Sequence, residues 1–254
     1  MKIGIIGAMQ EEIELLKQDM TVLSESSIGM RQYLCGKLYN KEVVLVFSRW
    51  GKVASASTAT TLIEKIGVDI IIFTGVAGAA SKDLNVGDII VADKLIQHDM
   101  DISPLGNIEK YAIPLLGKSY FDVDADYIKM ARESALSYIE NTMEKEIGKE
   151  LLSEFHIKSP KVVVGTIASG DHFIADSSKI QELSNSITNL KCVEMEGAAV
   201  AQVCFEHDIP FIVVRVISDK ADETADIDFS KFINKIASHF TKGIILKLIS
   251  DLGK

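Results

Sequence analysis

The chain opens on Lys2-Ile3-Gly4-Ile5-Ile6-Gly7-Ala8-Met9-Gln10-Glu11-Glu12, and this stretch decides the fold. Residues 2–7 are apolar at consecutive rather than alternate positions, which predicts a strand covered on both faces. A helical period begins straight after it, over residues 11–20. Runs rich in Val and Ile, bounded by Gly, Asp or Ser, recur at residues 42–48, 69–75, 87–93, 161–169 and 210–218. Helical periodicity fills residues 53–66, 125–141, 177–186, 197–207 and 229–252 between and after them. Strands alternating with helices predict an α/β fold, a three-layer α/β/α domain around a mostly parallel central mixed sheet. Residues 30–38, with a turn at 39–41, are placed to pair with the next strand as a hairpin.

At 254 residues and 47% hydrophobic, the chain buries one large core, and a single domain over residues 1–254 is expected. Its 27 basic and 36 acidic residues leave a formal charge of -9, which opposes a nucleic-acid partner and suits a small or cationic ligand. The amino-terminal residues read as a strand rather than an export signal, so a cytoplasmic location is expected. No apolar run has the length of a membrane span, so no membrane partner is expected. Cys35, Cys192 and Cys204 are too scattered for a disulfide framework and read as reduced core thiols. Residues 97–123 hold Pro104, Gly106, Pro114 and Gly117 and are the least regular part, assigned to a lid or a subunit contact. Residues 140–158 are charged, carry Gly148, and read as a surface helical excursion.

Ligands of open parallel sheets bind beyond the carboxyl ends of the strands. Those ends here carry Gly7-Ala8-Met9-Gln10-Glu11-Glu12, Gly75-Val76-Ala77-Gly78, Ser169-Gly170-Asp171-His172-Phe173, Val193-Glu194-Met195-Glu196-Gly197 and Arg215-Val216-Ile217-Ser218-Asp219. Glu12, Glu194, Glu196 and Asp219 would then converge with Arg215 on a pocket containing Met9, Met195 and Phe173. Carboxyls in different surroundings hold different protonation states, one serving as acid and another as base, which is how glycosidic bonds are cut. Carboxylates at strand ends also cap helices, but four around one pocket exceed what capping needs.

Other chemistries lack their residues. The first strand is followed by no third glycine of a dinucleotide fingerprint, and there is no Walker sequence. His98-Asp99-Met100-Asp101 has no second ligand at a recognised metal spacing, so it reads as a hydrogen-bonding loop. No Gly-x-Ser-x-Gly elbow and no cysteine–histidine pair offers a nucleophile. Neither a metal nor a cofactor is called for.

At these same residues the sequence resembles the 5′-methylthioadenosine/S-adenosylhomocysteine nucleosidases of the purine nucleoside phosphorylase superfamily, over nearly the whole chain. The resemblance rests on residues 2–9 with Glu11-Glu12, Gly51-Lys52-Val53-Ala54, Gly75-x-Ala77-Gly78, Val86-Gly87-Asp88-Ile89, Ser169-Gly170-Asp171 with Phe173-Ile174, Val193-Glu194-Met195-Glu196, and Val213-Val214-Arg215 with Ile217-Ser218-Asp219. It implies a nucleoside phosphorylase-like fold and water-driven release of adenine from 5′-substituted adenosines. It further implies that Asp219 protonates adenine N7, Glu12 activates the water, and Glu196 holds the ribose hydroxyls with Met195 on the sugar face. Phe173 would stack on the base and the Ile174 main chain bond its edge. Arg215 and Glu194 would help hold the water and Glu12, while Met9 and Phe229 would wall the 5′ pocket. A homodimer is implied, with residues 97–123 reaching the neighbour's 5′ pocket.

Electrostatics supports this division of labour. Breaking an N-glycosidic bond builds positive charge on the sugar and negative charge on the base, so carboxylates belong near ribose and a proton donor near purine. The chain departs from the family at Val76, where a serine is common, and at Arg49 and Trp50, where glycine and isoleucine are common. Trp50 would stand near the 5′ pocket or at a subunit contact. Two alternatives stay open: a phosphorylase, which would need cationic or hydroxylic groups around phosphate, and a non-catalytic surface binding protein of the same fold.

Overall fold

Both faces of the first strand are indeed covered, and by different cores. On β1 (Lys2–Gly7), Ile3 and Ile5 join one buried cluster and Ile6 the other. The same alternation runs along β5 (Ile70–Ala79) and β10 (Phe211–Asp219), where Ile70, Ile72, Ile212 and Val214 face one layer and Ile71, Phe73 and Val213 the opposite one. Each fully buried aliphatic side chain of this kind contributes about 1.5–3 kcal/mol. Two helical layers thus sandwich the sheet. The computed structural model describes residues 1–222 and 225–252, and of residues 226–228 the backbone alone.

The remaining elements follow in chain order: α1 (Gln10–Asp19), β2 (Thr21–Ile28), β3 (Arg31–Leu38), β4 (Lys41–Phe47), α2 (Lys52–Thr61), β6 (Ile89–Gln97), β7 (Tyr120–Asp122), α3 (Ala125–Asn141), α4 (Met143–Ile147), α5 (Lys149–Glu154), β8 (Val162–Ser169), α6 (Ser177–Ser186), β9 (Leu190–Glu194), α7 (Gly197–Glu206), α8 (Ala225–Lys235) and α9 (Ala237–Asp251). Among the described residues the sheet has ten strands in the order β10-β6-β8-β9-β5-β1-β4-β3-β2, with β7 on β6. It is mixed: β4, β1, β5 and β10 run parallel as a central spine. The β6–β10, β5–β9, β2–β3, β3–β4 and β6–β7 ladders are antiparallel. Because β10 pairs β5 as well as β6, the strands β5, β10, β6, β8 and β9 close on themselves. That closure gathers the ends of β5, β9 and β10 around one space.

The hairpin forms as expected, Leu38 pairing Lys41 across a two-residue turn in which Tyr39 and Asn40 both take positive φ, 46° and 62°. Four expectations change. The apolar run after residue 69 continues as strand to Ala79, so Gly75-Val76-Ala77-Gly78 lies within β5 rather than after it. The expected helix over 229–252 is two helices, α8 and α9, broken at Ile236, whose φ of -120° leaves the helical region. The expected helix over 53–66 leaves α geometry at Leu62, where the chain widens into a π turn through Ile66. Residues 140–158 are not only a surface feature: Met143, Ile147, Leu152 and Ile157 are buried against α9 and its neighbours, and the charges occupy the outer face. Where α9 crosses α3, Gly243 is required, since a Cβ there would stand 2.0 Å from the Tyr138 ring.

Cys192 and Cys204 are buried thiols whose pKa burial pushes up, and Cys35 is partly covered. Among the described residues, no helix is long and apolar enough to cross a membrane.

Candidate active site

Glu12 is the third residue of α1, and its side chain folds back over the end of β1. Oε2 accepts the main-chain N–H groups of Ala8 at 2.7 Å and Met9 at 2.9 Å, and Oε1 accepts that of Val76 at 3.1 Å. Room for the carboxylate comes from Gly75, where a Cβ would lie 2.7 Å from Oε1. The group is buried, and burial raises its pKa against the opposing pull of the Arg215 charge and the three amides. A carboxylate with a raised pKa is a better proton acceptor than one in water.

Glu194 ends β9 and is saturated with donors. It accepts the Ser169 hydroxyl, the N–H of Glu196 at 3.1 Å, the N–H of Gly197 at 2.8 Å and the Arg215 guanidinium at 2.7 Å. Arg215 is 1% exposed, lies over the Phe73 ring at 4.0 Å from its centroid, and also donates to the carbonyls of Val214 and Phe73. Burial weakens its hold on a proton, but Glu194, Glu12 and Glu196 more than offset this and keep it cationic. Arg215 therefore stands behind the cavity wall, against Glu194, and acts on Glu12 through its charge. The resemblance implied that Arg215 helps hold the water and Glu12; its bonds run to Glu194, Val214 and Phe73, and it reaches Glu12 by charge.

Glu196 is buried at the head of α7 and accepts the Gly51 N–H on Oε1 at 2.7 Å. Burial and the neighbouring Glu194 push its pKa up to about 8, with Glu12 adding to the rise and the Gly51 amide and Arg215 opposing it. Asp219, the last residue of β10, follows a register shift in the β5 ladder that turns its side chain. Its Oδ1 accepts the Ala221 N–H at 2.8 Å and its Oδ2 the Ser218 hydroxyl at 2.7 Å. Gly78 leaves it space, because a Cβ there would lie 2.9 Å from Oδ1.

These carboxyls surround one cavity of about 330 Å³. Of the residues singled out in the sequence, Glu12, Glu194, Glu196, Asp219, Met9, Trp50, Val76, Ala77, Gly78, Phe173, Ile174, Met195, Ser218 and Phe229 line it, and Arg215 does not. Phe173 and Phe229 meet edge to face, 5.7 Å between centroids at 73°, and form an apolar side wall. Trp50 is 61% exposed and borders both this cavity and a more open cleft along Gln10, Glu11, Phe47 and Arg49. Sequence reasoning missed Ala8, His172 and Val193, which also line the cavity. It also missed Ser169 as the partner of Glu194 and Gly51 as the partner of Glu196. All five lie within the quoted motifs or beside one of them, but nothing in a sequence shows which main-chain group meets which carboxylate.

A closed mixed sheet with buried carboxylates at its strand ends defines a nucleoside-processing protein of the phosphorylase class, and the family model of the Phosphorylase superfamily matches residues 2–250. The 5′-methylthioadenosine/S-adenosylhomocysteine nucleosidase of Anoxybacillus flavithermus is 33% identical over 254 residues, all of both chains. The crystal structure of the 5′-methylthioadenosine/S-adenosylhomocysteine nucleosidase of Neisseria meningitidis, in complex with methylthio-immucillin-A, superposes with a TM-score of 0.86 at 31% identity, covering 99% of each chain. The native structure of futalosine hydrolase of Helicobacter pylori gives 0.83 at 34% identity, covering 99% of this chain and 98% of that one. The chain belongs to the 5′-methylthioadenosine/S-adenosylhomocysteine nucleosidases of the phosphorylase superfamily.

Proposed function

We propose that the chain hydrolyses the N-glycosidic bond of 5′-methylthioadenosine, S-adenosylhomocysteine and related 5′-substituted adenosines, releasing adenine and a 5-thioribose. The observation that carries this reading is the state of Glu12: the three amides just after β1 and within β5 that could receive an anion are already spent on a carboxylate. A phosphate would meet that carboxylate in a site shielded from water, which is strongly unfavourable. A water molecule meets a base.

In this reading the Asp219 carboxyl gives its proton to adenine N7 as the bond to C1′ breaks, and the bonding electrons leave with the base. Positive charge on the ribose is met by Glu196, which accepts the sugar hydroxyls, and by the field of Glu12. Glu12 takes one proton from water, whose oxygen joins C1′. The products are neutral adenine and the free sugar, and the proton returns from Glu12 to Asp219 before the next turn. Phe173 offers its face to the base, with Ile174 at its edge. Met195 lies on the sugar, and Met9, Phe229 and Trp50 enclose the 5′ group. Glu194 and Arg215 fix the Glu196 turn and bias the charges.

Parts of the same proposal are a homodimer, a cytoplasmic location and service in methionine salvage. The dimer is supported by exposed apolar side chains at Leu105 and Leu115 in the 97–123 segment and at Trp50 by the cavity mouth. Sedimentation at micromolar concentration tests it, a fully active monomer being the contrary result. The activity is tested by incubation with methylthioadenosine and detection of free adenine. Absence of adenine would favour the alternative of a binding protein.

A further inference from the structure

Two consecutive main-chain amides at the start of α2 point to two different parts of the site. The Gly51 N–H donates to Glu196 at 2.7 Å, and the Lys52 N–H donates to Asp171 Oδ1, also at 2.7 Å. Asp171 stands two residues before Phe173 in the segment joining β8 to α6, so one short turn carries both the ribose carboxylate and the base-stacking loop. We propose that Asp171 is a positioning residue that locks the base-stacking loop to the ribose-binding carboxylate through this pair of amides.

The contacts form a closed circuit. The Asp171 N–H donates to Asp99 Oδ2 at 2.9 Å, Asp99 Oδ1 pairs with Lys52 Nζ at 2.6 Å, and the Lys52 main chain returns to Asp171. Lys52 Nζ also donates to Gln97 at the end of β6, at 3.0 Å. Partial burial raises the Asp99 pKa, but the Lys52 ammonium and the Asp171 amide outweigh it and hold the carboxyl below its usual range, which keeps the strut ionised. Gly51 has φ 90°, and a Cβ there would stand 2.9 Å from Asp171 Oδ1, so the turn admits both bonds only with glycine. At its root the same loop is pressed on His98, whose ring lies 2.3 Å from where a Gly170 Cβ would be. Beyond that point Asp171, His172 and Phe173 are exposed while Ile174 is buried beside Leu183, and Asp171 is the side chain through which the loop meets the α2 turn.

The lock has a chemical consequence at Glu196. Its surroundings are Glu194 on β9, Glu12 on α1 and Arg215 on β10, with the Gly51 amide stabilising the charged form. Releasing Lys52 from Asp171 loosens the turn that aims the Gly51 N–H, so Glu196 becomes harder to ionise and the base wall drifts from the sugar. A displacement of that kind costs up to about a hundredfold in rate.

This inference rests on the nucleosidase reading, and its test separates the two. Asp171→Ala and Asp171→Asn are compared with the wild type for adenine release from methylthioadenosine between pH 5 and pH 9, together with thermal melting. Asp171→Ala is expected to melt normally, to lose about tenfold to a hundredfold in kcat/KM, and to move the acid limb of the profile upward by about half a pH unit. Asp171→Asn keeps an oxygen for the Lys52 N–H and is expected to recover both to within about threefold. An Asp171→Ala protein with an unmoved limb or wild-type rate, or an Asp171→Asn protein no better than it, overturns the proposal. Should Asp171→Ala fail to fold, Asp99→Ala removes the other strut and is read by the same limb. A wild type that releases no adenine overturns the nucleosidase reading, and this inference with it.

Discussion

The main-chain N–H of Val76 lies 3.1 Å from Glu12 Oε1, so the bond that joins β5 to α1 does not use the side chain at position 76. Where the family resemblance leads one to expect a serine hydroxyl, the valine leaves this donor intact. The carboxylate keeps its three amides, and the role of base proposed for it does not depend on the substitution.

Adenine release should therefore need no phosphate, and Glu12→Gln should lower turnover by about three powers of ten without phosphate restoring it. Glutamine preserves the shape and an oxygen for the amides while removing the proton acceptor. Assays in phosphate-free buffer and then with added phosphate, with the sugar identified by mass, decide the matter. A ribose 1-phosphate product would falsify the hydrolase reading.

Asp219→Asn should cut turnover by about two to four powers of ten while leaving substrate affinity nearly unchanged. The amide keeps an oxygen for the Ala221 N–H and still meets the Ser218 hydroxyl, so the strand end holds its form. Single-turnover rates and equilibrium binding of methylthioadenosine separate the two effects. Near-normal turnover in this variant removes Asp219 from the acid role.

Much of this site was legible because strand ends are legible. β1, α3 and α6 have the bounds that periodicity sets, and Glu12 follows directly from the end of β1. β2 was not legible: its eight residues, Thr-Val-Leu-Ser-Glu-Ser-Ser-Ile, are almost all exposed, and it is held by main-chain pairing to β3 rather than by an apolar face. β9 and β7 are too short, at five and three residues, to show a period. The fate of Arg215 was hidden for another reason, since the strand end predicts that it reaches the site but not that Glu194 captures it first. Gly51, Asp99 and Asp171 lie in three separate loops, and only the closed sheet topology brings them together.

Trp50→Ile should change the ratio of activities on small and large 5′ groups more than it changes turnover on either. The indole borders the cavity and the outer cleft but makes none of the bonds that hold Glu12, Glu196 or Asp219. Parallel specificity constants for methylthioadenosine and S-adenosylhomocysteine provide the measurement. Equal changes for both substrates place Trp50 outside substrate selection.

Glu196 sets a stability trend that runs opposite to that of an ordinary paired carboxylate. Burial and Glu194 hold its folded pKa near about 8, against a usual 4.5. Below pH 4.5 the group is protonated whether the chain is folded or not, and it contributes nothing to the pH dependence. Between there and about pH 8 the unfolded chain releases the proton while the folded one retains it, so stability falls as pH rises, by up to about 1.4 kcal/mol per pH unit. Above that range both states are ionised and the deficit is constant. Glu196→Gln removes the titration and keeps an oxygen for the Gly51 N–H, so the variant should match the wild type in acid and grow steadily more stable than it towards pH 8. The same variant should lose about tenfold to a hundredfold in kcat/KM, because a neutral amide answers neither the sugar hydroxyls nor the developing positive charge as a carboxylate does. Denaturant unfolding of both proteins across this range reads the trend directly. A difference that stays flat with pH, or that favours the wild type as pH rises, removes Glu196 as the buried group whose ionisation the fold opposes and the reaction requires.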